Sequence, residues 1–410
     1  MNNGKIWFLA LVAAMGGFLF GYDTAVINGA EQQIQATFGL TPALHGLVMS
    51  SCLWGTVIGA FFGGRLTDFL GRKKTLLIVG SLYLLSAVWC PLTTDYVSLI
   101  IARFIGGLAV GCSSIAAPVY IAEISPADKR GMFTAIFQFD VVLGVCISQL
   151  VNLLIGRACA GGPNEWRIML GAVAVPALLF VSLCPFIIES PRWLEMKASG
   201  ALSSKQKAPR KKLFQKAYLM PLMVAFLVAF FNQLSGINAV NYFMKRIYMM
   251  AGMTDNAALS LAAMTQVFNA VATFAGMALI DKLGRKALLI IGGSGYVLSL
   301  TCCALAFHYG AGMLATICVI VFIISHAIGQ GTVIWVIIAE IFPTSVRAQG
   351  QSFGSFTHWA FAAIITFVFP IAAAKFAPAK IFGFFAIFMV LHLLWAIFIV
   401  PETKGKELED

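Results

Sequence analysis

Charge is what this 410-residue sequence lacks. Asp, Glu, Lys and Arg make up 11% of it, where a soluble globular domain carries about 25%. Apolar residues reach 60% and the mean hydropathy is +0.89, so a chain exposed to water on all sides is excluded. Paired-cysteine and metal-ligand spacings are missing too. Eight of the nine cysteines (Cys52, Cys90, Cys112, Cys146, Cys184, Cys302, Cys303 and Cys318) fall inside apolar runs, and only Cys159 falls between them; neither a disulfide framework nor a metal centre is expected. Absent as well are a nucleophile–base pair and a phosphate-cradling glycine loop, so the chain is read as no enzyme and as needing no cofactor. No small-residue cleavage pattern follows Met1-Asn2-Asn3-Gly4-Lys5, and the run behind it is expected to be a retained span, not a signal peptide.

What is there is a series of long apolar runs. Crossing the hydrocarbon layer takes about 20 residues at 1.5 Å each, with every backbone group paired inside the helix. Twelve runs meet that requirement, near 6–29, 46–66, 75–91, 98–122, 132–155, 168–188, 218–242, 258–280, 287–308, 312–339, 349–374 and 380–400. The expected fold class is an all-α membrane protein. The net charge of +11 raises the question of nucleic acid, which the placement of the charges answers. With the N-terminus inside, 21 of the 28 Lys and Arg lie on cytoplasmic segments, 6 on outer ones, and Arg103 lies within a span. That excess follows the positive-inside rule, puts both termini in the cytoplasm and leaves no basic surface for nucleic acid.

The chain repeats itself. Asp68-x-x-Gly71-Arg72-Lys73 recurs as Asp281-x-x-Gly284-Arg285-Lys286, and Ala122-Glu123-Ile124-x-Pro126-x-x-x-Arg130 recurs as Ala339-Glu340-Ile341-x-Pro343-x-x-x-Arg347. Two motifs in the same order describe duplicated six-helix units, residues 1–190 and 218–410, joined by a basic cytoplasmic linker over 191–217. In parallel repeats of this kind a substrate is expected near the midplane, where the repeats face each other.

With Gly64-x-x-x-Asp68-x-x-Gly71-Arg72-Lys73, Arg103-x-x-Gly106-Gly107-x-x-x-Gly111, Tyr120-x-Ala122-Glu123, Glu189-Ser190-Pro191-Arg192-Trp193, Gln233-Leu234-Ser235-Gly236-Ile237-Asn238 and Pro401-Glu402-Thr403-Lys404-Gly405 in order, the sequence resembles the sugar porter family of the major facilitator superfamily over essentially its whole length. The resemblance implies two pseudo-symmetric six-helix bundles rocking around a central sugar site. The sequence departs from the family at several places. The segment between the sixth and seventh spans is short, and Asn232 stands where a Gln is common. Gly329-Gln330-Gly331-Thr332 replaces a Gly-Pro-Gly-Pro type of run, and His358 stands where many hexose carriers have Asn or Gln.

A monosaccharide presents hydroxyls that donate and accept, and a carboxamide answers with two donors and an acceptor. Gln138, Asn232, Gln233, Asn238 and Asn269 are such groups in apolar spans, and by the motif match Gln138, Gln233, Asn238 and Asn269 fall on sugar-contacting positions. Asn and Gln between packed helices also serve as interhelical glue. Gln233 and Asn238 lie about 140° apart on an ideal helix, so they address one ligand only if the helix opens between them, at Ser235-Gly236. Trp335 offers a ring face and an indole N–H and matches the family's ring-contacting position, while His358 can donate to a hydroxyl or serve as a second proton acceptor, the resemblance favouring the hydroxyl contact. His326 and His392 are expected to be packed, hydrogen-bonded residues.

An ionised carboxylate at mid-span costs roughly 2.5–3.5 kcal/mol on insertion scales, so Asp23 needs a partner, and Arg103 is the natural one. The resemblance adds that proton symporters of the family carry Asp and Arg at these positions. At the cytoplasmic ends, Asp68, Arg72, Glu123, Arg130, Asp281, Arg285, Glu340 and Arg347 carry opposite signs and form a candidate gate, in which a network holds where one exposed pair would not. The reading is a secondary transporter that imports a monosaccharide, hexose or pentose, together with a proton. It works as a monomer in the lipid bilayer of a cell membrane, the absence of any Asn-x-Ser/Thr acceptor pointing to a bacterial inner membrane. A passive facilitator and a non-transporting sugar sensor are the alternatives.

Overall fold

The structure, a computed structural model, describes residues 3–126, 129–159, 161–199, 213–343 and 346–404. Among them there are helices, turns and no strand. Twelve helical segments are long and apolar enough to cross a membrane, in the register expected from the apolar runs. Contacts divide the chain into two units, residues 1–208 and 209–410.

The first unit contains α1 (Asn3–Thr37), α2 (Pro42–Leu70), α3 (Arg72–Leu92), α4 (Tyr96–Ile124) and α5 (Arg130–Cys159). A sixth span follows, broken into α6 (Glu165–Gly171) and α7 (Ala174–Leu183), and then the short α8 (Pro191–Ala198). Helix starts use local chemistry: Thr41 precedes Pro42 and its side chain accepts from Leu44 N–H, and Asp95 accepts from Ser98 N–H at 2.8 Å, each satisfying a donor that the first turn leaves open. With no hydrophobic drive between helices in lipid, close backbone approach supplies the packing. Gly55 and Gly59 of α2 lie against the backbone of Phe104 and Leu108 on α4, and Gly107 and Gly111 of α4 against the carbonyls of Cys52 and Thr56 on α2. A Cβ at Gly107 would collide with the Cys52 carbonyl, so these two helices touch backbone to backbone.

The second unit repeats the plan. Its first span is split into α9 (Leu219–Leu234) and α10 (Ile237–Met250); then come α11 (Asp255–Leu283) and α12 (Arg285–His308). A second split span, α13 (Gly312–Ile328) with α14 (Gln330–Glu340), precedes α15 (Arg347–Lys375) and α16 (Pro378–Phe398). Gly71 and Gly284, the glycines of the repeated motif, make the same positive-φ turn, at 95° and 90°, between the second and third spans of their halves.

Two sequence expectations need adjusting. Cys159 ends α5 and does not sit in the loop beyond it. The stretch that begins at residue 191 is not all linker: α8 packs on the first unit, where buried Trp193 donates through Nε1 to the Asp68 carbonyl at 2.8 Å. Residues 200–212 lie outside the described ones.

Candidate functional site

The first half holds a buried ion pair. Asp23 on α1 and Arg103 on α4 are 3% and 1% exposed. Arg103 Nη1 donates to Asp23 Oδ1 at 2.9 Å and Nη2 to the Asp23 carbonyl at 3.2 Å. The Cys52 thiol of α2 lies 3.4 Å from Asp23 Oδ2. Both side chains are shielded from bulk solvent, so each depends on the other; removing one partner of such a pair typically costs about 3–5 kcal/mol. Gln138, also in this half, sits half-buried on α5.

The second half holds an amide cluster assembled by a break in a helix. Gly236 takes φ +85°, α9 stops at Leu234, and α10 restarts at Ile237. A side chain at Gly236 would also run into the Phe385 ring, 2.6 Å from its Cβ. The break turns Gln233 and Asn238 toward each other, and Asn238 Nδ2 donates to Gln233 Oε1 at 2.5 Å. Gln233 Nε2 donates to Asn232 Oδ1 at 3.0 Å and lies 3.2 Å from both ring nitrogens of His358 on α15. The Trp335 ring of α14 stands 4.8 Å from His358. Asn232, Gln233, Asn238, Trp335 and His358, drawn from four helices, thus meet at one place. Asn269 joins a neighbouring ladder: its Nδ2 donates to Gln266 Oε1 at 2.9 Å, and Gln266 Nε2 donates to Asn241 Oδ1 at 3.2 Å. Groups that bond to one another in this way can exchange those bonds for the hydroxyls of a polar ligand.

Among the other histidines, His326 is hydrogen-bonded to the Tyr296 hydroxyl at 2.5 Å. His392, expected to be packed and hydrogen-bonded, is packed against Phe231, Tyr296 and Trp395, but neither ring nitrogen has a partner.

The charged ends of the helices form two matching clusters, one per half. Arg72 pairs with Glu123 at 2.8 Å and Asp68 at 3.1 Å; Arg285 pairs with Glu340 at 2.8 Å and Asp281 at 3.2 Å. Each of these pairs is internal to its half. Arg347 Nε donates to the Phe342 carbonyl at 3.2 Å, and the Arg130 side chain lies outside the described ones.

Sequence reasoning missed two turn-capping carboxylates and two ion pairs. Glu189 accepts from the backbone N–H of Arg72 and Lys73, and Glu402 from those of Arg285 and Lys286. Both carboxylates sit the same number of residues beyond the repeated Asp-x-x-Gly-Arg-Lys motif, a spacing that was there to be found. Burial pushes the Glu402 carboxyl up, but backbone donors from Lys404, Arg285, Lys286 and Thr403 outweigh it and hold the carboxyl below its ordinary value. Glu31 of α1 and His45 of α2, both fully buried, pair at 2.9 Å. Lys245, 2% exposed on α10, pairs with Asp255 at 2.7 Å. No group of three or more His, Cys, Asp or Glu among the described residues is placed to hold a metal ion.

The family model for "Sugar (and other) transporter" matches residues 9–207 and again 195–410. The arabinose-proton symporter of Bacillus subtilis is 31% identical, covering 100% of this chain and 95% of its own length, and the D-xylose transporter of Levilactobacillus brevis is 30% identical over 100% and 96%. The inward-open xylose transporter XylE of E. coli superposes with a TM-score of 0.87 at 29% identity, with 98% of each chain covered. The relatives are transporters by name, and with two motif-bearing six-helix halves and a family match across both, the chain belongs to the sugar porter family of the major facilitator superfamily.

Proposed function

We propose that this protein imports a monosaccharide, hexose or pentose, together with a proton by alternating access, from a bacterial inner membrane with both termini in the cytoplasm. The observation that carries the proton half of this reading is the Asp23–Arg103 pair, closed at 2.9 Å and shielded from solvent. Protonating Asp23 cancels the attraction that holds it to Arg103. The free energy of proton binding then biases the balance between two states of the transporter, because a ligand shifts an equilibrium by its differential affinity for the two.

The sugar half of the reading rests on the hydroxyl-matching groups. Gln138, Asn232, Gln233, Asn238, Asn269 and His358 bond the sugar hydroxyls, and Trp335 packs against the C–H face of the ring. Asp68, Arg72, Glu123, Arg130, Asp281, Arg285, Glu340 and Arg347 act as the cytoplasmic gate, the pairs internal to each half setting the geometry of its rim. Relatives that carry arabinose, xylose or glucose by name support a small neutral sugar.

Uptake by proteoliposomes separates coupled from passive transport. Asp23→Asn is expected to abolish sugar accumulation driven by a pH gradient while sparing sugar exchange. Accumulation at the wild-type level by that variant would show that the protein is a facilitator and Asp23–Arg103 a structural pair.

A further inference from the structure

The two oxygens of the Asp23 carboxylate are held differently. Oδ1 takes the charged donor Arg103 Nη1. Oδ2 faces the thiol of Cys52 at 3.4 Å, the one donor to that oxygen among the described residues. The thiol is buried, with Cys52 itself at 0% exposure, and its place is set by the backbone. The Cys52 carbonyl lies so close to Gly107 that no side chain fits there; α2 is locked onto α4 at the very residue that reaches Asp23.

The surroundings narrow the possibilities further. From α3, Tyr83 and Cys90 are the titratable groups on this side; both are buried, and the Tyr83 hydroxyl has no partner. From α4 comes Arg103. The other helices packed on α1, namely α5, α6 and α7, place no charged side chain in contact with Asp23 among the described residues. The side-chain partners of the carboxylate among the described residues are therefore one cation and one thiol.

We propose that Cys52 is a positioning residue of the proton site: its S–H holds Asp23 Oδ2, keeps the carboxylate aimed at Arg103, and sets how tightly Asp23 takes up a proton. This rests on the reading of Asp23 as the proton acceptor. A hydrogen bond donated to a carboxylate favours its ionised form, and a thiol is a weak donor. In the low dielectric of a site shielded from bulk solvent, that weak bond still counts. Without the thiol, Oδ2 has no donor, the ionised form is less favoured, and the proton binds more tightly. Loading from the outside then persists to higher external pH.

The test is the initial rate of gradient-driven sugar uptake into proteoliposomes against external pH, for the wild type, Cys52→Ala, Cys52→Val, Cys52→Ser and Asp23→Asn. Ala and Val, which lack a donor, are expected to move the half-maximal point upward by about one pH unit, a roughly tenfold gain in proton affinity. Ser is expected to fall closer to the wild type, because its O–H donates more strongly although its shorter C–O bond reaches less far. A packing role for Cys52 would lower rates without moving the midpoint, or would move Ser and Ala alike, and either result overturns the proposal. Val fills the thiol's volume and keeps the donor-less arm readable if Ala fails to insert. If Asp23→Asn loses gradient-driven uptake while all Cys52 variants keep the wild-type midpoint, only the role of Cys52 falls; if Asp23→Asn still accumulates sugar, both readings fall together.

Discussion

Gln233 uses both ends of its carboxamide, accepting from Asn238 and donating to Asn232 beside the His358 ring. Replacing it by Ala leaves the buried Asn232 and the half-buried Asn238 unanswered, at about 1–3 kcal/mol for a buried unmet polar group. Gln233→Ala is therefore expected to weaken sugar binding roughly 10- to 100-fold, read as the half-saturation of exchange; an unaltered value would place the sugar elsewhere. Arg103→Ala is expected to lower the melting temperature in detergent by stranding Asp23. Adding Asp23→Asn should restore part of the loss, because the stranded charge is then gone. Glu402 gives a pH-dependent case outside the spans. Its carboxyl is held below the ordinary value, so it stabilises the fold fully above the unfolded-state pKa and loses that contribution as pH falls through the lowered one. Glu402→Gln should melt earlier than the wild type at neutral pH and converge with it in acid.

Among the helices, the decisive feature is the break between α9 and α10. It was legible in the sequence because two amides that lie on different faces of an unbroken helix, with Ser-Gly between them, make sense only if the helix opens there. The φ of +85° at Gly236 is the physical realisation. Gly236→Ala combines a disfavoured dihedral, about 1–3 kcal/mol, with a clash against Phe385, so loss of sugar affinity should exceed what Asn238→Ala alone produces. The seam between α2 and α4 was half legible. Gly-Gly-x-x-x-Gly on α4 was visible as a family motif, but its answering glycines on α2 gain meaning only from the register of two parallel helices that are not neighbours in the chain, Gly55 meeting Phe104 and Gly59 meeting Leu108. Gly107→Val is expected to abolish membrane insertion of folded protein, measured as the monodisperse fraction after extraction.

Across the whole molecule, the distribution of Lys and Arg commits the chain to one orientation. A cysteine replacing exposed Lys197, in a background free of the nine native cysteines, should react with a membrane-impermeant maleimide only when the cytoplasmic face is accessible; labelling from outside would reverse the topology. The spans and the duplication into halves were readable without coordinates because bilayer thickness and backbone pairing act on composition alone, residue by residue along the chain. Asp23 and Arg103 could be paired for the same reason, since a lone charge in hydrocarbon demands a partner. Which oxygen takes which donor is a different kind of question. That Cys52 closes on Asp23, that Glu31 meets His45, that His392 packs with both nitrogens unanswered, and that Glu189 and Glu402 cap the motif turns all depend on distances of a few ångströms between helices remote in sequence. Apolar patterning sets which faces are buried, whereas rotation and register between packed helices come from backbone contacts such as Gly107 against Cys52, and only the tertiary structure decides those.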